Sequence, residues 1–142
     1  MCLNRCNMGG RGSFLRSGGR GILVEDREYS SIGMLGRIKV VQWDKGTNNK
    51  TPPYSNTPNT TYYAYSKERK RIEKIYYFRN HKLYKCVEFD IDKNRPHVHY
   101  WRNGVEVGRD RHDSKNIFPL NERDIRLYKQ AMRWNQERKG KS

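Results

Sequence analysis

From Arg37 onward the chain alternates between short runs dense in Val, Ile, Tyr and Phe and clusters of Asn, Asp, Gly, Pro and charge. Such runs predict β-strands over 38–43, 61–66, 72–78, 83–91 and 97–101. The segment from Asp44 to Thr60, rich in Asn, Thr and Pro, predicts a long loop of the sort that often carries function. Arg79-Asn80-His81-Lys82 separates two strand-like runs and predicts a hairpin turn, with His81 solvated at its tip. Along 83–91, Leu83, Val87, Phe89 and Ile91 share one parity and predict one buried face, to which Lys85 is the exception. The Lys67 to Arg71 run predicts a solvated turn with incidental phosphate contact.

After these strands the periodicity changes. Asn121 can cap a helix, and Asp124 three residues on meets the positive end of its dipole, so a helix is expected from there to about Arg138. Ile125, Leu127, Tyr128, Ala131, Met132 and Trp134 occupy about half its circumference, with Arg126, Lys129 and Arg133 clustered opposite. The predicted fold is α+β: an antiparallel sheet of about four to five strands with a C-terminal amphipathic helix packed on it. Residues 1–36, with Gly9-Gly10-Arg11-Gly12 echoed by Gly18-Gly19-Arg20-Gly21, predict a flexible Gly/Arg-rich arm. Residues 37–138 are the expected single domain and 139–142 a basic tail. Met8 offers an alternative start to Met1.

Charge adds a partner to this picture. Thirty Lys and Arg against fifteen Asp and Glu leave a net charge of +15 and a pI near 10. Such an excess usually has a polyanionic partner, with nucleic acid the first candidate and an anionic membrane surface the second. No apolar run approaches spanning length, no helix looks like an interfacial anchor and no secretory signal is evident, so no membrane is expected and the cytoplasm is the expected setting. Three cysteines, Cys2, Cys6 and Cys86, are an odd count that argues against a disulfide framework. Cys2 and Cys6 lack a partner pair at finger spacing, and no cofactor or metal is expected.

The densest candidate chemistry lies in Arg95-Pro96-His97-Val98-His99-Tyr100-Trp101. On a strand His97 and His99 share a face, about 7 Å apart along it, with Trp101 beside them and Tyr100 opposite. Two imidazoles can serve as base and acid toward one phosphodiester, and His112 can replace either. Arg95, Arg102, Arg109 and Arg111 are candidates for a phosphate clamp, and Trp101 and Tyr100 for base stacking. Arg126, Lys129 and Arg133 extend the basic surface. His97 and His99 are also a two-ligand metal fragment that His112 with Asp110 or Asp113 could complete, although no known hydrolytic metal pattern is present.

The runs 72–90 and 95–101, then Pro119-Leu120-Asn121-Glu122-Arg123-Asp124 and a helix ending near Trp134-Asn135, resemble a small phage and prophage domain. That domain occurs free or at the C-terminus of Mu F-like minor head proteins, and is similar in layout to toxin domains typified by the barnase-EndoU-colicin-RelE ribonucleases. The resemblance covers residues 9–12 and 38–135 and rests on order and spacing. It implies a compact α+β domain and a metal-independent endoribonuclease that acts on RNA ahead of DNA, in the cytoplasm of a bacterial host or associated with a virion. The family's Pro-His-x-His-Tyr stretch maps onto Pro96, His97, His99 and Tyr100, and its later His-Asp onto His112 and Asp113. Trp101 stands where such relatives tend to carry Gly. An acidic immunity protein would complement a basic toxin. The competing reading is a non-catalytic basic phage accessory protein that binds nucleic acid or inhibits a host defence complex.

Overall fold

The computed structural model describes residues 14–15, 29–44, 51–107 and 118–141. The strands are β1 (Phe14–Leu15), β2 (Tyr29–Leu35), β3 (Ile38–Trp43), β4 (Tyr54–Ser55), β5 (Thr60–Ser66), β6 (Arg71–Arg79), β7 (Lys82–Glu88), β8 (His97–Arg102) and β9 (Val105–Glu106). Among the described residues one helix, α1 (Glu122–Lys141), follows them. The fold is α+β, an open and mostly antiparallel sheet in the order β1-β4-β7-β6-β5-β3-β2, with β8 also on β7 and β9 on β8.

The five predicted strand runs recur as β3, β5, β6, β7 and β8, and the sheet has more strands than expected. β2 lies inside the segment expected as arm. Its Ser-Ser-Ile-Gly-Met-Leu run is largely exposed and lacks the alternation that marks a half-buried strand. The sheet is antiparallel as expected except that β3 pairs in parallel with β5. Parallel neighbours need a long crossover, and the predicted 44–60 loop supplies its length. β7 stops at Glu88, because Asp90 takes a left-handed conformation and Ile91–Lys93 form a 3-10 turn.

Both faces of the central strands are buried. Val40, Tyr63, Ile75, Tyr77, Val87, Phe89 and Val98 form one cluster with Leu127 and Ala131 of α1. Val41, Tyr62, Ala64, Tyr76, Phe78, Leu83 and Cys86 form a second cluster. Burial on both faces explains why β5 reads as a continuous aromatic run instead of an alternating one. The shared parity of Leu83, Val87 and Phe89 is broken by a register shift between Tyr77 and Phe78: Tyr77 pairs with Lys85 while Phe78 pairs with Leu83, which leaves Tyr84 as an extra residue. Leu83 consequently joins the second cluster and Lys85 faces α1.

Lys85 is therefore no surface exception. Its Nζ lies 2.7 Å from Asp124 Oδ2 and both side chains are buried. Tyr77 donates its hydroxyl to Asp124 Oδ1 at 2.6 Å. Asp124 also accepts from the Asn121 N–H at 3.0 Å, while Asn121 Oδ1 accepts from the Asp124 N–H at 2.8 Å. This reciprocal cap starts the helix where the sequence expects it. Farther along, Asn135 clamps the start of β6 by accepting from the Ile72 N–H at 2.8 Å and donating to its carbonyl at 2.9 Å. The helix continues to Lys141, past the expected end near Arg138 and through most of the expected tail. Ile125, expected on the apolar half, is 40% exposed, since the buried stripe runs through Asp124, Leu127 and Ala131.

His81 lies at the expected hairpin tip and is exposed. The Asn80-His81 turn has positive φ at both residues, 52° and 70°, the geometry of a tight two-residue hairpin. The loop carrying β4 folds against it, so His81 Nδ1 lies 2.9 Å from the Ser55 carbonyl, and the His81 N–H donates to the Pro58 carbonyl at 2.7 Å.

Removing one partner of a buried ion pair leaves the other charge desolvated, so Asp124→Ala is expected to cost about 3–5 kcal/mol of unfolding free energy. The double variant Lys85→Met/Asp124→Leu should recover a large part of that loss in urea denaturation. Equal losses in the single and double variants would contradict this account.

Candidate functional site

β8 places His97, His99 and Trp101 on one face and Val98, Tyr100 and Arg102 on the other, as strand alternation requires. Antiparallel pairing with β7 sets Glu88 opposite His97 and Cys86 opposite His99. His97 and His99 are 4% and 2% exposed, and their ring centroids lie 4.8 Å apart. Both imidazoles are enclosed, in contrast to the open groove that a polymeric substrate needs.

Each ring is oriented through its Nδ1. His97 Nδ1 lies 2.8 Å from the Arg95 carbonyl, an acceptor only, so the neutral ring carries its proton there and Nε2 keeps a lone pair. His99 Nδ1 lies 2.7 Å from Glu106 Oε2, close enough for a strong electrostatic contact. The two Nε2 atoms converge on Glu88, at 3.6 Å from Oε1 for His97 and 3.7 Å from Oε2 for His99. Those separations exceed hydrogen-bond length. His97 Nε2 is buried without a hydrogen-bond partner, an arrangement that costs about 1–3 kcal/mol in an otherwise satisfied interior. Burial pushes the nearby Cys86 thiol up to about 12, so it is a neutral thiol.

Glu88 and Glu106 were not among the residues singled out from sequence. Glu106 had a readable signal: Asn103-Gly104 is a strong two-residue hairpin signature, and it returns β9 so that Glu106 pairs with Trp101. Gly104 has φ of 83°, and a Cβ there would come within 3.0 Å of the Tyr54 hydroxyl. Glu88 needed the β7–β8 register, which no single run of sequence contains.

Among the described residues, the arginines of the expected clamp turn away from the histidines. Arg102 projects from the opposite face of β8, and Arg95 turns its guanidinium toward Asp90 at 3.5 Å. Arg109, Arg111 and His112 lie outside the described residues, as do Asp110 and Asp113. Trp101 is half-buried against the second cluster, while Tyr100 is 38% exposed and packs edge-on to Phe118 at 5.1 Å. Arg126, Lys129 and Arg133 are exposed on α1.

Cations instead converge at the other end of the helix. The β5–β6 turn and the last turns of α1 enclose a cleft of about 450 Å³ lined by Arg69, Lys70, Arg71, Arg138 and Lys139, with Tyr65 among its apolar walls. Arg71 is held by Glu73 at 2.7 Å and Asp92 at 3.2 Å, and Arg69 by Glu73 at 3.1 Å. The Arg138 guanidinium lies 4.4 Å from the Trp134 ring centroid. The Lys67 to Arg71 run is thus one wall of a cleft, a role visible only once α1 docks beside it.

Comparison with protein-family models finds no match, and neither curated proteins nor solved structures show a significant similarity. Among the described residues no helix is long and apolar enough to cross a membrane.

The neutral form of His97 is expected to carry its proton on Nδ1. Long-range ¹H–¹⁵N spectra at alkaline pH should show a pyridine-like Nε2 for this ring, and a proton on Nε2 would contradict the Arg95 carbonyl contact.

Proposed function

We propose that this protein binds single-stranded RNA through the basic cleft between the β5–β6 turn and the C-terminal end of α1. The observation that carries the reading is the convergence of Arg69, Lys70, Arg71, Arg138 and Lys139 around one cavity. A chain of net charge +15 gains from neutralising phosphates, and the counterions released drive the association. Arg71 and Arg69 are fixed by carboxylates, which lowers the ordering cost of presenting their remaining donors. The part-exposed Trp134 ring next to the cleft, with Arg138 over it, offers a flat surface of the kind that unpaired bases use and paired bases cannot reach. The exposed Arg126, Lys129 and Arg133 extend the same electrostatic field along the helix.

The metal-independent cleavage expected from the histidine pair has weaker geometric support. A phosphodiester placed between the two Nε2 atoms would meet the Glu88 carboxylate, and its charge would be opposed there.

The test is binding of a labelled single-stranded RNA to the full chain over a range of salt. Lys70→Ala/Arg138→Ala should weaken binding at least tenfold and make the salt slope shallower by about 1.4, at roughly 0.7 per lost phosphate contact. Unchanged affinity and slope would remove the cleft from the interaction. Tighter binding to duplex DNA would sink the single-strand reading. Cleavage products that form in EDTA and vanish in His97→Gln would favour catalysis over simple binding.

A further inference from the structure

The enclosed group at the end of β7 has a composition that differs from the basic cleft and calls for a different ligand. Glu88, His97 and His99 each offer one donor atom, and the three lie within 4.8 Å of one another. The imidazole-to-carboxylate approaches, His97 Nε2 to Oε1 at 3.6 Å and His99 Nε2 to Oε2 at 3.7 Å, are too long for hydrogen bonds. They are close to the separation of roughly 3.4 Å between neighbouring donors in a tetrahedron with bonds of about 2.0–2.1 Å. We propose that Glu88, His97 and His99 form a binding site for a divalent transition-metal cation of the Zn²⁺ type.

Several independent features agree. The Nε2 of His97, a side chain only 5% exposed, faces Glu88 with no hydrogen-bond partner, and a lone pair buried in this way is suited to a cation. Its Nδ1 is held by the Arg95 carbonyl, and His99 Nδ1 is approached by the Glu106 carboxylate. Metal-bound histidines are commonly oriented by a carbonyl or carboxylate on the far ring nitrogen, which fixes the tautomer and raises ligand basicity. Imidazole and carboxylate together suit zinc, cobalt or nickel better than calcium or magnesium. Two strands of one sheet carry all three donors, so the site is held by backbone pairing and not by a loop. Three protein donors leave a coordination position for water or a ligand, and Glu88, with 31% of its side chain exposed, lies on the side nearest solvent.

The full chain carrying Cys2→Ser/Cys6→Ser, which removes thiols that could capture metal elsewhere, is stripped with chelator and titrated with Zn²⁺ by calorimetry. Co²⁺ is followed in parallel by visible absorption. One ion per chain, with an intense low-coordinate Co²⁺ band, is expected. Glu88→Gln should weaken Zn²⁺ binding at least tenfold and His97→Gln more, with circular dichroism reporting the fold of each. Should His97→Gln fail to fold, the part-exposed Glu88→Gln still decides the matter. Absence of stoichiometric binding, or binding that Glu88→Gln leaves unchanged, would overturn the site.

Discussion

The contact between Lys85 and Asp124 is the constraint on which both ends of the molecule depend. A charge as buried as Lys85 is tolerated only opposite a carboxylate, and only one carboxylate of α1, at the first turn, is in place to meet it. The same carboxylate caps the helix and receives the Tyr77 hydroxyl. The start of α1, its rotation about its axis and the register of β7 are therefore settled together. An apolar pair of equal volume would bury well but would accept a slide of the helix by a turn, which the ion pair resists through its hydrogen bonds.

Because side chains alternate along a strand, turning Lys85 toward α1 turns Cys86 and Glu88 to the opposite face. The extra residue at Tyr84 makes this compatible with a buried Leu83, which would otherwise compete for the helix side. Glu88 thus arrives opposite His97 as a consequence of the position of Lys85. At the other end, α1 extends about 30 Å at 1.5 Å per residue, with Asn135 clamping it to β6. That clamp sets Arg138 and Lys139 against the β5–β6 turn and closes the basic cleft. Bringing so many cations together is unfavourable by itself; Glu73 and Asp92 offset part of the repulsion and hold Arg69 and Arg71 in place.

The parts of this architecture legible in the sequence were those governed by local physics. Strands β3, β5, β6, β7 and β8 were marked by dense apolar and aromatic runs, and the helix start by Asn121 and Asp124 three apart. What could not be read was whatever depended on pairing between distant runs. β2 lacks an alternating face and is a strand because β3 offers it an edge. The parallel β3–β5 contact depends on the crossover, and the parity switch at Tyr84 on a bulge. The face shared by His97 and His99 was legible from a spacing of two residues. Their carboxylate neighbours were not, although Asn103-Gly104 already pointed to the hairpin that delivers Glu106. Lys85 looked like a flaw in the pattern of β7 because its partner lies 39 positions away, on a helix whose docking no local run specifies.

The two candidate sites occupy opposite faces of the sheet, and this separation bears on how they relate. The basic cleft opens on the α1 side, walled by Tyr65 and Met132 of the helix-facing cluster. Glu88, His97 and His99 lie on the far side with Cys86. A nucleic-acid strand seated in the cleft would have to pass around a sheet edge to reach the histidines. Arg102 projects on the face away from them, so it could not clamp a phosphate at their Nε2 atoms. An enclosed, carboxylate-bordered pair of imidazoles selects a small cation, whereas an open ring of guanidinium and ammonium groups selects a polyanion. The opposed electrostatics of the two sites thus favour separate ligands over a single continuous active site.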